Sequence, residues 1–432
     1  MSRHVSHAAD DSATTLEPPG ALSLTKMSFK AEHRGYYRMG PDCQSDRKVP
    51  FIANAIPFER ISGELIRVRG IDLARQILRS DGFRQAGFMA ELATRFTRHS
   101  RAPVLFQEGE AHRKQRSATA RFFAPRVVAA RYRQLIAEES ERLMDGLSST
   151  KRADLISMSM ELSVAVTAEI VGLTDSSRLG LTRRLKSFLA GKQRRNAGKL
   201  ASLLTMVLAF CRVLRFFLCD VMPAIRSRRI ARHDDLITEL IDQGCSNREI
   251  LTECITYGVA GIATTRELIV MAAWHLFERS DLRTRFLDGD ESDRIALLEE
   301  VLRLEPVVGV LYRRAEREIV LDDNGRSERI MAGTLLEIDI RNVNVDRDAT
   351  GFCPHRLDPD RRIRDQRTPP SLLSFGDGPH RCPGAAVALQ ESVIFLERLL
   401  RVPGIRLVSA PTIDSNPLVE SYELHGAVVA CM

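Results

Sequence analysis

Apolar residues recur every three to four positions through most of the chain, the spacing that gathers them on one face of an α-helix. This periodicity predicts helices over residues 124–147, 236–241, 250–277 and 295–304. Strand signals, short apolar or alternating runs between turn formers, are confined to four blocks: "ELIRVRG" (64–70), "EIVLDD" (318–323), "TLLEIDI" (334–340) and "HGAVVA" (425–430). The pattern predicts a fold that is mainly α with small β-sheets.

No internal repeat runs along the chain, and no Pro- or Ser-rich linker or abrupt change of composition follows the first 25 residues. Residues 1–25 are polar, lack the apolar segment of a secretory signal and read as a disordered tail; residues 26–432 read as one domain. At 432 residues, 44% of them hydrophobic, the chain can bury a large core. Its eight cysteines include no C-x-x-C pair and no regular spacing. That argues against a disulfide framework or a zinc cluster and for reduced thiols in the cytoplasm.

Charge changes the picture locally. Residues 181–232 hold thirteen Lys or Arg and a single acid, Asp220, a net of +12 against +7 for the whole chain. The excess is interleaved with "ASLLTMVLAFCRVLRFFLCDVMP" (201–223) and lacks the aromatic platforms of nucleic-acid modules, so no nucleic acid is expected as a partner. Arg212 and Arg215 interrupt the apolar run, so no transmembrane span is expected either. The cations remain readable as a site for an anionic or carrier-bound substrate, an acidic carrier protein or peripheral contact with a membrane surface.

The chemistry concentrates in "SFGDGPHRCPGAA" (374–386). Gly376, Gly378 and Gly384 permit positive φ and keep Cβ atoms away from Cys382, and Pro383 suits the first position of the helix that follows through "AAVALQESVIFLERLL". A sulfur at a helix N-terminus faces free amides and the positive end of the dipole, which favour thiolate over thiol. Such a thiolate is a nucleophile, with His380 as its conceivable base, or a metal ligand. A haem ligand needs amides to temper its electron donation and a nearby cation for a propionate, and the loop suits that task better.

Phe375, Gly376, Gly378, His380, Cys382 and Gly384 fill F-G-x-G-x-H-x-C-x-G, and the loop resembles the haem-binding loop of the cytochromes P-450. The resemblance implies a triangular α-rich fold holding haem b (iron protoporphyrin IX) between a distal helix and the proximal loop, with Cys382 as axial iron ligand. Glu300 and Arg303 resemble the family's E-x-x-R pair, and "FCPHRL" supplies Phe352, Pro354 and Arg356, with Leu357 in place of a second Phe. Glu300, Arg303 and Arg356 would then form a structural network behind the haem. His112 and Arg116 resemble the H-x-x-x-R helix whose cations meet the propionates, as does Arg313, with Arg314 as its rival. Buried propionates are costly unless paired, and Arg matches carboxylate geometry.

Gly258 and Gly261 interrupt the longest helical pattern, at about 1 kcal/mol each relative to Ala, which suggests room for a ligand and for local opening of the helix. Ala260, Gly261, Ala263 and Thr264 resemble A-G-x-(D/E)-T, except that Ala263 replaces the acid that organises proton-carrying water in the family. Thr264 is expected to orient the oxygen ligand. Glu267, one turn beyond Ala263, is a candidate substitute acid acting through an extra water, or else pairs with a surface cation.

The function implied by the resemblance is a monooxygenase that inserts one atom of O2 into an apolar small-molecule substrate of secondary metabolism. Electrons would come from a ferredoxin and ferredoxin reductase, since the chain has no flavin or dinucleotide fingerprint. The missing acid leaves open a peroxide-driven peroxygenase, another atypical haem-thiolate reaction or a non-catalytic ligand-binding protein. Residues 87–100, 307–311 and 418–424 are expected to line the pocket, and residues 181–232 to roof it.

Overall fold

The computed structural model describes residues 58–87, 101–189, 199–323, 325–345, 372–416 and 419–432, all within one compact unit, Gly40–Met432. The tail expected over 1–25 lies outside the described residues. Strands β1 (Phe58–Ser62) and β2 (Leu65–Val68) lead to α1 (Ile71–Arg79) and β3 (Phe83–Ala86). A long helical middle follows: α2 (Gly109–Ala120), α3 (Arg133–Thr150), strand β4 (Arg152–Asp154), α4 (Leu155–Val171), α5 (Arg178–Leu189), α6 (Lys199–Phe216), α7 (Met222–Ile230) and α8 (Leu236–Asp242). It continues with α9 (Asn247–Glu278), α10 (Ser280–Asp288) and α11 (Glu291–Leu304). The remainder comprises β5 (Val310–Ala315), β6 (Ile319–Asp323), β7 (Arg326–Ile330), β8 (Leu335–Asp339), α12 (Ile340–Val345), α13 (Ala385–Arg401), β9 (Arg406–Ser409), β10 (Thr412–Asn416), β11 (Ser421–His425) and β12 (Val428–Ala430).

The main sheet has the order β1-β2-β8-β5-β3; β2 runs parallel to β8 and the other neighbours are antiparallel. One face buries Ile66, Val68, Leu336 and Ile338 against Leu73 and Ile77 of α1. The smaller sheets are β4-β12-β9, β10-β11 and β6-β7. All four predicted strand blocks fold as strands, so the architecture is mainly α with small sheets.

Helix α9 is the central element. Its start is fixed by a capping box, in which Ser246 Oγ accepts from Glu249 N at 3.3 Å and Glu249 Oε2 accepts from Ser246 N at 2.8 Å. Over 32 residues it runs about 48 Å, and from Thr265 to Leu276 every residue is buried. Helix α4, apolar on nearly every side, packs along it. A Cβ at Gly261 would stand 3.0 Å from Thr167 Oγ1 of α4, so this glycine lets two core helices approach.

The pattern over 124–147 does not fold as one helix. Residues Pro125–Val127 form a single turn, and a π-turn over Val128–Tyr132 precedes α3 and turns Val128 and Tyr132 into the core. A second π-turn, Phe217–Val221, joins α6 to α7 just ahead of Pro223, which lacks an N–H for regular helical pairing.

Helix α13 carries Glu391 into the core, where it accepts a hydrogen bond from Ser163 Oγ of α4 at 2.6 Å. Burial pushes this carboxyl up from 4.5 to about 8. The folded protein therefore holds a proton that the unfolded chain releases above pH 4.5. The contribution to stability is complete below that value and is lost as pH rises to about 8, by about 1.4 kcal/mol per pH unit. Glu391→Gln keeps the acceptor without the titration; urea unfolding across this range should show a flatter pH dependence, and an unchanged slope would refute the assignment.

Candidate functional site

The thiol loop is closed by its own backbone. Gly376 N donates to Leu373 O at 2.8 Å, Cys382 N to Phe375 O at 2.8 Å and Arg381 N to Gly378 O at 3.1 Å. Gly376 and Gly378 have φ of +69° and +65°, and a Cβ at Gly378 would run into the Leu78 carbonyl at the end of α1. Gly384 differs from expectation: its φ is −82°, and it caps α13, where a Cβ would stand 4.0 Å from Cys382 Sγ. Pro383 accordingly precedes the cap instead of opening the helix.

Cys382 borders a recess of about 380 Å³ lined by Arg116, Ser117, Phe123, Arg381 and Pro383. The residue is exposed along this recess while protein surrounds its sulfur on the other sides, and that surrounding protein governs its acidity. Burial pushes the thiol up, against the opposing pull of the Gly384 amide, Arg116, Arg381 and the Ala385 amide. The helix terminus alone therefore does not secure a thiolate, contrary to the sequence reading. These amide and arginine donors fit a thiolate held by a metal.

His380 turns away from this sulfur. Its Nε2 lies 3.0 Å from Glu108 Oε2, and its ring stacks on His112 at 4.1 Å. The nucleophile reading thus loses its base. Glu108, at the N-cap of α2, also accepts from Gln85 N. Burial alone favours the neutral acid, but the His380 and Gln85 bonds prevail and hold the carboxyl below its usual range. His112 is pushed down to about 4, chiefly by burial, so it is neutral at pH 7 unless an anion adjoins it.

Arg313 is 4% exposed, donates to Tyr312 O at 2.8 Å and is pulled down to about 10 by burial, opposed by Glu108. Alternation along β5 sends Arg314 to the opposite face, where it donates to Gly333 O at 2.9 Å. Arg313, His112 and His380 thus converge on Glu108, one carboxylate shared among three basic groups. That set fits a group bringing carboxylates of its own, as haem does. Arg116 Nη2 donates to Arg381 O at 2.6 Å and braces the thiol loop. Helix α2 is itself fixed to α9, since Gln115 Nε2 donates to buried Glu253 Oε1 at 2.6 Å.

Glu300 and Arg303 on α11 form a buried two-pronged ion pair, with Nε to Oε2 at 2.8 Å and Nη2 to Oε1 at 2.6 Å. Arg356, Phe352, Pro354 and Leu357 lie outside the described residues. A different link was not anticipated. Fully buried Asn344 donates to Arg303 O at 3.3 Å and Ser374 Oγ at 2.8 Å, and accepts from Leu373 N at 2.8 Å. Ser374 Oγ in turn donates to Leu302 O at 2.7 Å, which hangs the thiol loop from the end of α11. The signal in the sequence was slight: an Asn between two valines in "RNVNVD".

On the distal side, α9 exposes Ala260 in mid-helix and leaves Gly261, Ala263 and Thr264 half-buried, a gap in an otherwise buried element. The helix stays α-helical here, without the opening expected at the glycines. Thr264 Oγ1 donates to Ala260 O at 2.6 Å. Glu267 is buried; Oε1 accepts from Arg266 and Oε2 from Leu424 N at 3.0 Å. Burial raises it to about 6 against the pull of Arg266, a buried partner and not a surface cation.

The expected pocket segments 307–311 and 418–424 meet: Gly309 N donates to Val419 O at 3.0 Å, and a Cβ at Gly309 would collide with the Glu420 carbonyl. Residues 88–100 and Leu418 lie outside the described residues.

The family model "Cytochrome P450" matches residues 295–402. A C-19 steroid 1alpha-hydroxylase of Sorangium cellulosum is 28% identical over 74% of this chain and 79% of its own length. A mycinamicin IV hydroxylase/epoxidase of Micromonospora griseorubida is 32% identical over 62% of this chain and 65% of its own. Among solved structures, P450BioI in complex with a hexadecenoyl-ligated acyl carrier protein superposes with a TM-score of 0.71 at 23% identity, over 88% of this chain and 96% of that one. CYP109E1 from Bacillus megaterium with corticosterone gives 0.70 at 20% identity, over 88% and 95%. These structural likenesses show a shared fold, and no helix among the described residues is long and apolar enough to cross a membrane. With the sequence match running from the Glu300–Arg303 pair through Cys382 into α13, the chain belongs to the cytochrome P450 superfamily, as a bacterial-type monooxygenase that holds haem through a cysteine thiolate.

Proposed function

We propose that the chain hydroxylates or epoxidises an apolar secondary metabolite in the cytoplasm, using haem b, O2 and electrons from a ferredoxin and its reductase. The observation that carries this reading is the Cys382 loop, which closes on its own backbone and frames a sulfur facing the recess with the Gly384 and Ala385 amides, an arrangement suited to a metal-bound thiolate. When bound, haem supplies the activation of dioxygen: substrate, O2, two electrons and two protons give oxygenated product and water. Cys382 would hold the iron, and Arg313, His112 and His380 the carboxylates. Relatives named for steroid and mycinamicin oxidation, together with the partly exposed apolar side chains of Val308, Val310 and Leu311, support an apolar substrate.

Thr264 has spent its hydroxyl proton on Ala260 O, so its oxygen offers acceptor lone pairs to the distal side. It would hold a proton-bearing water there while Ala263 contributes no acid. The two oxygens of Glu267 are already engaged, which counts against Glu267 as substitute acid and gives weight to a peroxide-driven alternative, since peroxide brings its own protons.

The test is turnover of a panel of apolar metabolites with ferredoxin, reductase and NADPH, in parallel with hydrogen peroxide. Product in the ferredoxin arm supports the proposal; product only with peroxide favours the alternative, and tight ligand binding without product in either arm favours a binding protein. Cys382→Ala should abolish the carbon-monoxide spectrum of thiolate-ligated haem. Arg313→Ala should lower the haem-to-protein ratio several-fold while Arg314→Ala leaves it near wild type, and equal loss in both would refute the assignment of Arg313. Thr264→Ala should continue to consume NADPH while product per NADPH falls about tenfold or more; unchanged coupling would remove Thr264 from proton delivery.

A further inference from the structure

The outward side of α6 is apolar. Leu204 is 59% exposed, Met206 64%, Val207 47%, Leu208 47%, Phe210 66% and Leu214 42%, and Leu218 in the following π-turn is 57% exposed. At about 100° per residue these positions sweep an arc of roughly 200°; Thr205 and Ala209 on the other side are exposed as well, and Phe216 anchors the C-terminal end of the helix in the core. Leu179 on α5 and Ile230 at the end of α7 add further exposed apolar surface, at 63% and 89%. A helix on a water-facing surface normally shows the reverse pattern, and an apolar patch of this kind marks an interaction site.

The charge around it has one sign. Arg183, Lys186, Arg212, Arg215 and Arg226 are exposed, and no carboxylate among the described residues pairs with Arg212, Arg215 or Arg226. The only acid between residues 181 and 232, Asp220, is buried and bound to Arg184 and Ser176.

We infer that α6 lies in the surface of a membrane containing anionic phospholipid, with Leu204, Met206, Leu208 and Phe210 in the acyl boundary and Arg212, Arg215 and Arg226 at the headgroup phosphates. Large aliphatic side chains flanked by arginine, whose stem can snorkel, suit that boundary. A second copy of the chain would set arginine against arginine. An acidic carrier protein would neutralise the arginines but leave the apolar arc without an apolar partner. The helix lies along the surface and does not span it, because Arg212 and Arg215 occupy its last turns and no described helix is long and apolar enough to cross. This inference is independent of the reaction assigned above.

The test is co-sedimentation of the full-length haem-loaded protein with vesicles of phosphatidylcholine alone or mixed with phosphatidylglycerol. Binding to the mixed vesicles should exceed binding to the neutral ones at least tenfold at low salt and weaken as salt is added. Met206→Glu with Phe210→Glu should reduce binding to the mixed vesicles at least tenfold, and Arg212→Glu with Arg215→Glu should abolish the preference for the anionic lipid. Both pairs are exposed, and circular dichroism with the carbon-monoxide spectrum verifies the fold of each variant. Equal binding to both vesicles, or binding to neither, would overturn the inference. So would lipid-free dimerisation sensitive to Phe210→Glu, or capture of purified acyl carrier protein without vesicle binding.

Discussion

The sulfur of Cys382 sits at the amino end of α13, beside the Gly384 and Ala385 amides and two arginines, and the protein packed around it still disfavours its charge. A helix terminus contributes about 1 kcal/mol or less at ordinary sites, whereas removing an anion from water costs several. The same surroundings therefore do two things. Burial favours the neutral thiol, and the same amides would temper the charge of a thiolate held by a metal. The loop that carries Cys382 is also the loop tied by Asn344 and Ser374 to the buried Glu300–Arg303 helix, so its shape is fixed by the core.

The opposite edge of the site obeys the same accounting of charge. Arg313 is buried in the main sheet, and the nearest negative charge is Glu108, which His380 also claims. Burial leaves His112 neutral, and in that form its ring stacks on His380 without adding a charge to the pair. One carboxylate, Glu108, faces all three of these groups. The residues at the two edges would suit complementary groups, a cation at sulfur and carboxylates at Arg313, and a single iron porphyrin carries both.

How far this was legible in the sequence depends on whether a residue's role is local. The thiol loop could be read because Gly376 and Gly378 are demanded by backbone geometry within a few residues of Cys382, and α9 because its apolar pattern persists over many turns. The Asn344–Ser374 clamp and the Glu108 contacts join residues 30 and 272 positions apart, and nothing in composition or spacing predicts such pairs. Gly261 was read as room for a ligand, yet its closest neighbour is Thr167 of another helix; spacing reveals a small residue but not which side of it is crowded. The helix over 124–147 failed for a similar reason, since periodicity is nearly blind to the one-residue slip of a π-turn.

The distal side shows what one missing carboxylate implies. With Ala263 in place of an acid and both oxygens of Glu267 engaged by Arg266 and Leu424 N, no carboxylate on this stretch of α9 is left to exchange protons freely. Thr264 is constrained in a directional way, because its own proton is committed to Ala260 O and its oxygen can only accept. A hydroxyl in that state would orient a proton-bearing molecule and not itself supply the proton. On the proposed reaction, proton supply would rest on water reaching the exposed Ala260 side of the helix, or on an oxidant that arrives already protonated. The two proposed chemistries differ in the source of the proton, while the bond from Thr264 to Ala260 O is common to both.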